Sequence, residues 1–421
     1  MKATQYLLFI VTVSILCFSC AKDTGNVTVT YQEATAIYGD LEAVRQLPLM
    51  EQSRDINNPG KIYIGQEFIL IGEEGEGIHV IDNTNRTSPT SNSFIRVPGN
   101  REFIVIGDFL YAESYYDVVK IDVSNPNAPQ FVGRALNAIQ EELTNEVGET
   151  LLGFSYETKT IEIDETDDFF NEIIGDLLVF RDFANNIIPN SAVPTSFAGN
   201  SQAQSGTVNR LALHKQNLYV ISNNNITIVS DQGSFGNEVS KQQSPVEDME
   251  TIFSHEDLLF VGSRTSMSIF DANDNGSVAQ VSAFDHATSC DPVLPHEDLA
   301  YVTLRTGDFS ECPGNINAML VIDVSRLDRI REIEEIPMSS PYGMSIIGSE
   351  LYVGQGENGL EIYDITNPRE PKLSNSLDIE AFDIIADPVN VDFIFIAGPD
   401  QLSQFKIGDT QTFDIQSQIA F

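Results

Sequence analysis

An alternating apolar run that ends in Asp, a hydroxyl residue and Asn-Pro recurs along this chain and limits what it can fold into. The fullest copy is Gly359-Leu360-Glu361-Ile362-Tyr363-Asp364-Ile365-Thr366-Asn367-Pro368. Val118-Val119-Lys120-Ile121-Asp122-Val123-Ser124-Asn125-Pro126 repeats it, and Gly77-Ile78-His79-Val80-Ile81-Asp82-Asn83-Thr84-Asn85 and Met319-Leu320-Val321-Ile322-Asp323-Val324-Ser325 are looser versions. Alternation with period two belongs to a strand. At the strand end the Asp carboxylate can accept a backbone N–H two residues on, while Pro presets the turn dihedral, so the repeated Asp reads as a turn former rather than a ligand.

The spacing of that Asp suggests an architecture. Asp82 to Asp122 and Asp231 to Asp271 are each 40 residues apart, and Asp323 to Asp364 is 41. A period near 40 carrying four short strands is that of a β-propeller blade, whose faces are buried only by its neighbours. The expected fold is all-β, a single propeller of seven or eight four-stranded blades. In one unit the strands read 344–347, 351–354, 360–365 and 372–377. The interval from Asp271 to Asp323 is longer because a hairpin is enlarged between Leu304 and Met319. The interval from Asp122 to Asp231 is far longer. Residues 151–163 and 176–183 read as strands of an extra, eighth blade; if 137–206 are instead an excursion, the count is seven. Lys406 takes the Asp place in the last unit, 382–421.

The expected organisation is a signal at residues 1–19, an acylated Cys with a tether and closing segment at 20–53, and the propeller at 54–421, divergent at 137–206. Lys2 precedes an apolar run, Tyr6 to Phe18, shorter than the roughly 20 residues of a spanning helix and suited to export. Cys17-Phe18-Ser19-Cys20 resembles the cleavage box of a bacterial lipoprotein, which makes Cys20 the lipidated residue. Ala21-Lys22-Asp23 resembles the short tag that sends some Bacteroidetes lipoproteins outward. The expected location is the outer membrane, on the cell surface or the periplasmic face. The net charge of -39, with 23 Lys and Arg against 62 Asp and Glu, argues against nucleic acid, whose phosphates are contacted by basic clusters. It suits a soluble monomer.

The repeats resemble the LVIVD-repeat proteins, frequent among Bacteroidetes envelope lipoproteins, through Leu320-Val321-Ile322-Asp323 and Val119-Lys120-Ile121-Asp122. Asn58-Pro59-Gly60-Lys61-Ile62-Tyr63, Leu110-Tyr111-Ala112-Glu113-Ser114-Tyr115, Glu250-Thr251-Ile252-Phe253, Ser289-Cys290-Asp291-Pro292-Val293 and Ala300-Tyr301-Val302-Thr303-Leu304-Arg305 are similar to segments of that family. The resemblance implies a propeller on the envelope and no particular reaction.

Four groups of residues are candidates for chemistry. Asp271, Asn273 and Asn275, followed by Gly276, offer oxygens at positions 1, 3 and 5 as a calcium loop does, although Ser282 stands where a bidentate Glu would complete a helical loop. Cys290 and Cys312 are expected to form a disulfide in an oxidising compartment. Tyr115, Tyr116 and Phe309 sit on hairpins where aromatic residues can anchor a ligand. His255 and His296 fall at one hairpin in successive repeats, with His214 one residue displaced, so they read as turn residues rather than as converging zinc ligands. No Gly-rich phosphate loop or Gly-x-Ser-x-Gly turn occurs, and Trp is absent. The expected function is a binding or protein-interaction platform, with an envelope protein or polysaccharide as partner and the membrane reached through the lipid. The alternative is an enzyme with a central-channel site, a calcium-dependent polysaccharide hydrolase or lyase.

Overall fold

The computed structural model describes residues 26–46, 49–140, 142–164, 209–222, 224–263, 265–273, 276–286, 292–306, 316–408 and 412–421. They fall into two compact units, residues 1–35 with 154–193, and residues 36–153 with 194–421. The strands Asn26–Gly39 and Thr150–Asp164 pair as a two-stranded sheet, and within the first unit Ser155 Oγ donates to the Thr35 carbonyl at 3.4 Å. Among the described residues no helix is long and apolar enough to cross a membrane.

The second unit is a β-propeller of seven four-stranded blades. Blade I is Pro59–Ile64, Phe68–Glu73, Gly77–Asp82 and Thr90–Arg96. Blade II is Phe103–Ile106, Phe109–Ser114, Asp117–Asp122 and Gln130–Ala135. Blade III is Leu211–His214, Asn217–Ser222, Asn225–Ser230 and Val239–Gln243. Blade IV is Met249–His255, Leu258–Ser263, Ser266–Ala272 and Val278–Asp285. Blade V is Val293–His296, Leu299–Leu304, Ala318–Asp323 and Arg331–Pro337. Blade VI is Met344–Ile347, Glu350–Gly354, Leu360–Asp364 and Lys372–Leu377. Blade VII is Asp383–Ala386, Phe393–Ala397, Gln401–Ile407 and Phe413–Ala420. The sequence places the strands of blade VI to within a residue, and Lys406, opposite Phe393, holds the Asp place of blade VII.

The eighth blade is corrected. Residues 150–164 form one long strand paired with Asn26–Gly39 rather than the second strand of an extra blade; residues 176–183 lie outside the described residues. A strand that alternates looks the same whether its partner is forty residues away or a hundred, so periodicity alone assigned it to the wrong sheet. A second correction concerns register. One residue near the end of each third strand faces the first of the second, as Asp122 faces Phe109 and Asp271 faces Leu258, and in blade III that residue is Ser230, opposite Asn217. Asp231 lies one place beyond.

Every blade is contiguous in sequence and strictly antiparallel, so each has its first strand at one edge and its fourth at the other. First strands pack against first strands around the ring and so surround the axis. Seven apolar clusters bury the seven blade interfaces. The last joins Ile62, Ile64, Ile69 and Ile71 of blade I to Phe395, Ala397 and Leu402 of blade VII. At the outer edge of blade I, Leu49–Gln52 pairs with Thr90–Arg96 as a fifth strand. Before that strand, after Asn26–Gly39, comes a short helix, Leu41–Val44, capped by Asp40, whose carboxylate accepts from Glu42 N–H at 3.0 Å.

Alternating strands fix two ends. Hairpins between second and third strands, and the connections from a fourth strand to the next blade, lie at one end. First-to-second hairpins and third-to-fourth turns lie at the other. This second end is built from Asx turns: Asp82, Asp122, Asp323 and Asp364 accept from the N–H of Thr84, Ser124, Ser325 and Thr366 at 2.8–3.1 Å. Tyrosines in the second strands tie these turns to the neighbouring blade: Tyr111 Oη donates to Asp231 Oδ2 at 2.9 Å, Tyr219 Oη to Gly276 O at 3.0 Å, and Tyr301 Oη to Pro368 O at 2.8 Å.

Candidate functional site

The end opposite the Asx turns carries both large insertions, between Ala135 and Leu211 and between Leu304 and Ala318. At this end the first strands begin, and antiparallel register puts one residue of each blade at a common level. In blades I to IV it is Lys61, Glu102, Arg210 and Thr251; in V to VII it is Pro292, Gly343 and Asp383. Thr251 pairs with Gly262 and Asp383 with Ala397; Glu113, Ile221, Thr303 and Gly354 donate their N–H to Glu102, Arg210, Pro292 and Gly343. The next residue along each strand, such as Ile62, Phe103 or Leu211, turns into an interface core, so the ring residue takes the other side of the strand.

The ring is charged on blades I to III. Lys61 Nζ donates to Asn209 Oδ1 at 2.7 Å and lies 3.6 Å from Glu102 Oε1, so a blade I side chain reaches blade III past the axial end of blade II. Arg210 pairs with Glu113. Asn100 Nδ2 donates to the carbonyls of Glu102 and Glu113, closing the group. All of these except half-buried Asn209 are buried. Burial pushes the Glu102 carboxyl up to about 7, against the opposing pull of Lys61; Glu113 adds to the rise and Arg210 opposes it. Glu102 Oε1, Thr251 Oγ1 and Asn100 Oδ1 lack a hydrogen-bond partner among the described residues. On the facing side, the Arg305 guanidinium lies over the Tyr342 ring at 4.2 Å, and Tyr342 meets Phe382 edge-on with centroids 5.0 Å apart.

Chemically, such a ring can recognise polar groups through fixed, desolvated donors and acceptors. Sequence reading missed it because its members are unlike one another. The available signal is positional: in six of the blades the ring residue stands seven places before the start of the second strand.

The residues singled out from sequence are scattered. Tyr116 is 2 % exposed and its hydroxyl donates to the Leu151 carbonyl at 2.6 Å, so it is packed rather than offered to solvent. Tyr115 is half-buried, with φ of 56° at the hairpin tip, its ring against Gly99. Both are at the insertion-bearing end; Phe309 lies outside the described residues. Asp271 and Asn273 stand at the opposite end, where the Asn273 N–H donates to the Ser277 carbonyl at 3.0 Å and its side chain to Ser277 Oγ. Asn275 lies outside the described residues, as do Cys20, Cys290 and Cys312. Among the described residues no group of three or more His, Cys, Asp or Glu side chains is placed to hold a metal ion. His214 proves to be in register with His255 and His296, facing Asn217 as they face Leu258 and Leu299. Each ring lies 6.1–6.3 Å from Tyr219, Phe260 or Tyr301, edge-on at His214 and His255 and stacked at His296.

Comparison with known proteins agrees with this architecture. A protein from Lactobacillus plantarum superposes with a TM-score of 0.52 at 9% identity, over 89% of this chain and 96% of that one. BamB from Moraxella catarrhalis gives 0.48 at 10% identity, over 88% and 97%, and the Pan2 WD40 domain of Neurospora crassa 0.48 at 8%, over 82% and 86%. At such identities the first likeness speaks for the fold alone, and the other two add nothing to it. No curated protein matches the chain. The LVIVD repeat is found at residues 101–136 and 343–379, which are blades II and VI.

Proposed function

We propose that this chain is a cell-envelope lipoprotein that acts as a binding or protein-interaction platform. It is held at the outer membrane by acylation of Cys20 and presents the insertion-bearing end of the propeller to an envelope protein or polysaccharide. The carrying observation is the asymmetry of the two ends. Both large insertions leave the blades at one end, and the other is a ring of short, repeated Asx turns. In repeat proteins, insertions collected on one face mark the binding face, since loops vary freely while the scaffold holds them. The propeller does not by itself name the ligand. Each acyl chain contributes roughly 0.8 kcal/mol per buried methylene, and several chains on one Cys would hold an acidic protein at a membrane without basic residues.

Two variants test this. Cys20→Ser should move the protein from the membrane fraction to the soluble fraction. Replacing residues 165–206 with a short Gly-Ser linker, in the soluble chain 21–421, should abolish retention of envelope polysaccharide or protein that the parent retains. Retention unchanged by that replacement, or a Cys20→Ser protein still bound to membranes, contradicts the reading.

A further inference from the structure

The axial ring is more specific than a general platform requires. The chain carries 62 acidic residues against 23 basic ones, and Lys61 and Arg210 are each paired with Glu within the ring. Half-buried Arg305 is different. Among the described residues its guanidinium has no hydrogen bond or ion pair, and its contact is with the Tyr342 ring. Stacking holds the plane of the guanidinium fork, and a fixed fork matches a carboxylate bidentately. Tyr342 precedes Gly343, the ring residue of blade VI, and Arg305 follows the second strand of blade V, so this cation stands beside the ring at the insertion-bearing end. Across the ring, Thr251 Oγ1 is buried without a hydrogen-bond partner among the described residues, and Glu102 Oε1 makes no hydrogen bond there, with the Lys61 ammonium 3.6 Å away. Both are at least nine-tenths buried, and a buried acceptor left unpaired costs free energy that a ligand donor would recover.

We propose that this end of the axis binds a hydroxylated carboxylate, the chemistry of a uronic acid unit. Arg305 takes the carboxylate, and Thr251 and Glu102 accept hydroxyl protons. The proposal rests on the insertion-bearing end being the binding face, and it names the ligand class for the axial part of that face. The group also includes Lys61 and Asn209, whose mutual bond keeps Glu102 between blades I and III.

The test is calorimetric titration of the soluble chain 21–421 with D-glucuronate and with D-glucuronamide, which keeps the hydroxyls and removes the charge. Glucuronate should bind saturably and glucuronamide at least about tenfold more weakly, the discrimination expected for one charge-assisted contact. Arg305→Gln should remove the discrimination. Thr251→Val should weaken both ligands alike while leaving their ratio unchanged, and circular dichroism of each variant checks its fold. Absence of saturable binding by glucuronate overturns the proposal, as does equal binding of the two ligands by the parent, or discrimination that survives Arg305→Gln. The Gly-Ser replacement of residues 165–206 separates the two readings. Glucuronate binding that persists there supports the axial site whatever happens to the platform, and envelope retention by a parent chain that ignores glucuronate removes the axial site alone.

Discussion

Arg86 Nη2 lies 2.6 Å from Oδ2 of Asp387, whose side chain is fully buried, and this pair joins blade I to blade VII. Arg86 also donates to Gln404 Oε1 at 3.0 Å, 318 residues further along, and stacks on Phe393 at 4.4 Å. Among the described residues no strand is exchanged between the first and last blades, and the contacts that close the ring are made by side chains.

Removing Arg86 therefore leaves a buried carboxylate without its cation. Arg86→Met should destabilise the propeller by about 3–5 kcal/mol, and adding Asp387→Asn should recover part of the loss. Arg369, whose side chain is 44% exposed, makes a similar contact with Asp323 between blades VI and V. Its replacement by Met should cost about 1 kcal/mol or less. Urea midpoints of the three variants give the comparison, and equal losses at the two sites would refute the distinction.

The interblade tyrosines allow a finer test. Tyr301 is fully buried and donates to the Pro368 carbonyl in the next blade's turn. Tyr301→Phe removes the donor, leaves the carbonyl unpaired and should cost about 1–2 kcal/mol. Tyr352, also fully buried, donates instead to Glu350 two residues away in its own strand. The Tyr352→Phe protein should keep slow amide exchange in the neighbouring blade, whereas Tyr301→Phe should speed exchange around 366–370.

Glu102 and Asp323 predict opposite pH responses. Glu102 is raised to about 7 by burial, so the native state binds its proton more tightly than the unfolded state does. Its contribution is full below about pH 4.3, the ordinary glutamate value, and is lost as pH rises through 7. Asp323 is held below the usual carboxylate range by the hydrogen bond from Arg369, with Ser325 assisting. Its contribution is present above about pH 4 and is lost as pH falls through the lower native value. Glu102→Gln should therefore flatten the decline in urea midpoint between pH 5 and 8 while leaving the acid limb intact. An unchanged decline would show that Glu102 is not the titrating group.

Glycine at the head of the motif has a cause that sequence leaves hidden. Gly359 has φ of 105°, and a Cβ there would meet the Leu377 carbonyl oxygen at 2.4 Å; at Gly77, φ is 156° and the Ile95 carbonyl oxygen would be 2.2 Å away. The third strand starts under the fourth strand's backbone, which admits no side chain. Gly359→Ala should cost about 1–3 kcal/mol from backbone strain alone, before the clash is counted. Wild-type thermal stability in that variant would refute the account.

The blades were legible in the sequence because the alternating run recurs along the chain and its Asp stands in five of the seven blades, and each copy needs only local chemistry to be recognised. Asx turns at Asp122 and Asp364 are contacts over two residues. What was not legible depends on partners far apart. Thr150–Asp164 alternates as a blade strand would, and its pairing with Asn26–Gly39 is set by tertiary structure. Ser230 carries no trace of the anchor role until its partner Asn217 is known. The axial ring unites Lys61, Glu102 and Asn209, joined across 148 residues by one bond, and their dissimilar side chains form no motif.

Photo-cross-linking in the intact envelope tests the central claim most directly, with one photoreactive residue replacing Tyr115 at the insertion-bearing end and another replacing Arg326 in an Asx turn at the opposite end. The account predicts partner adducts from position 115 and none from position 326. Adducts from position 326 with none from 115 would contradict it.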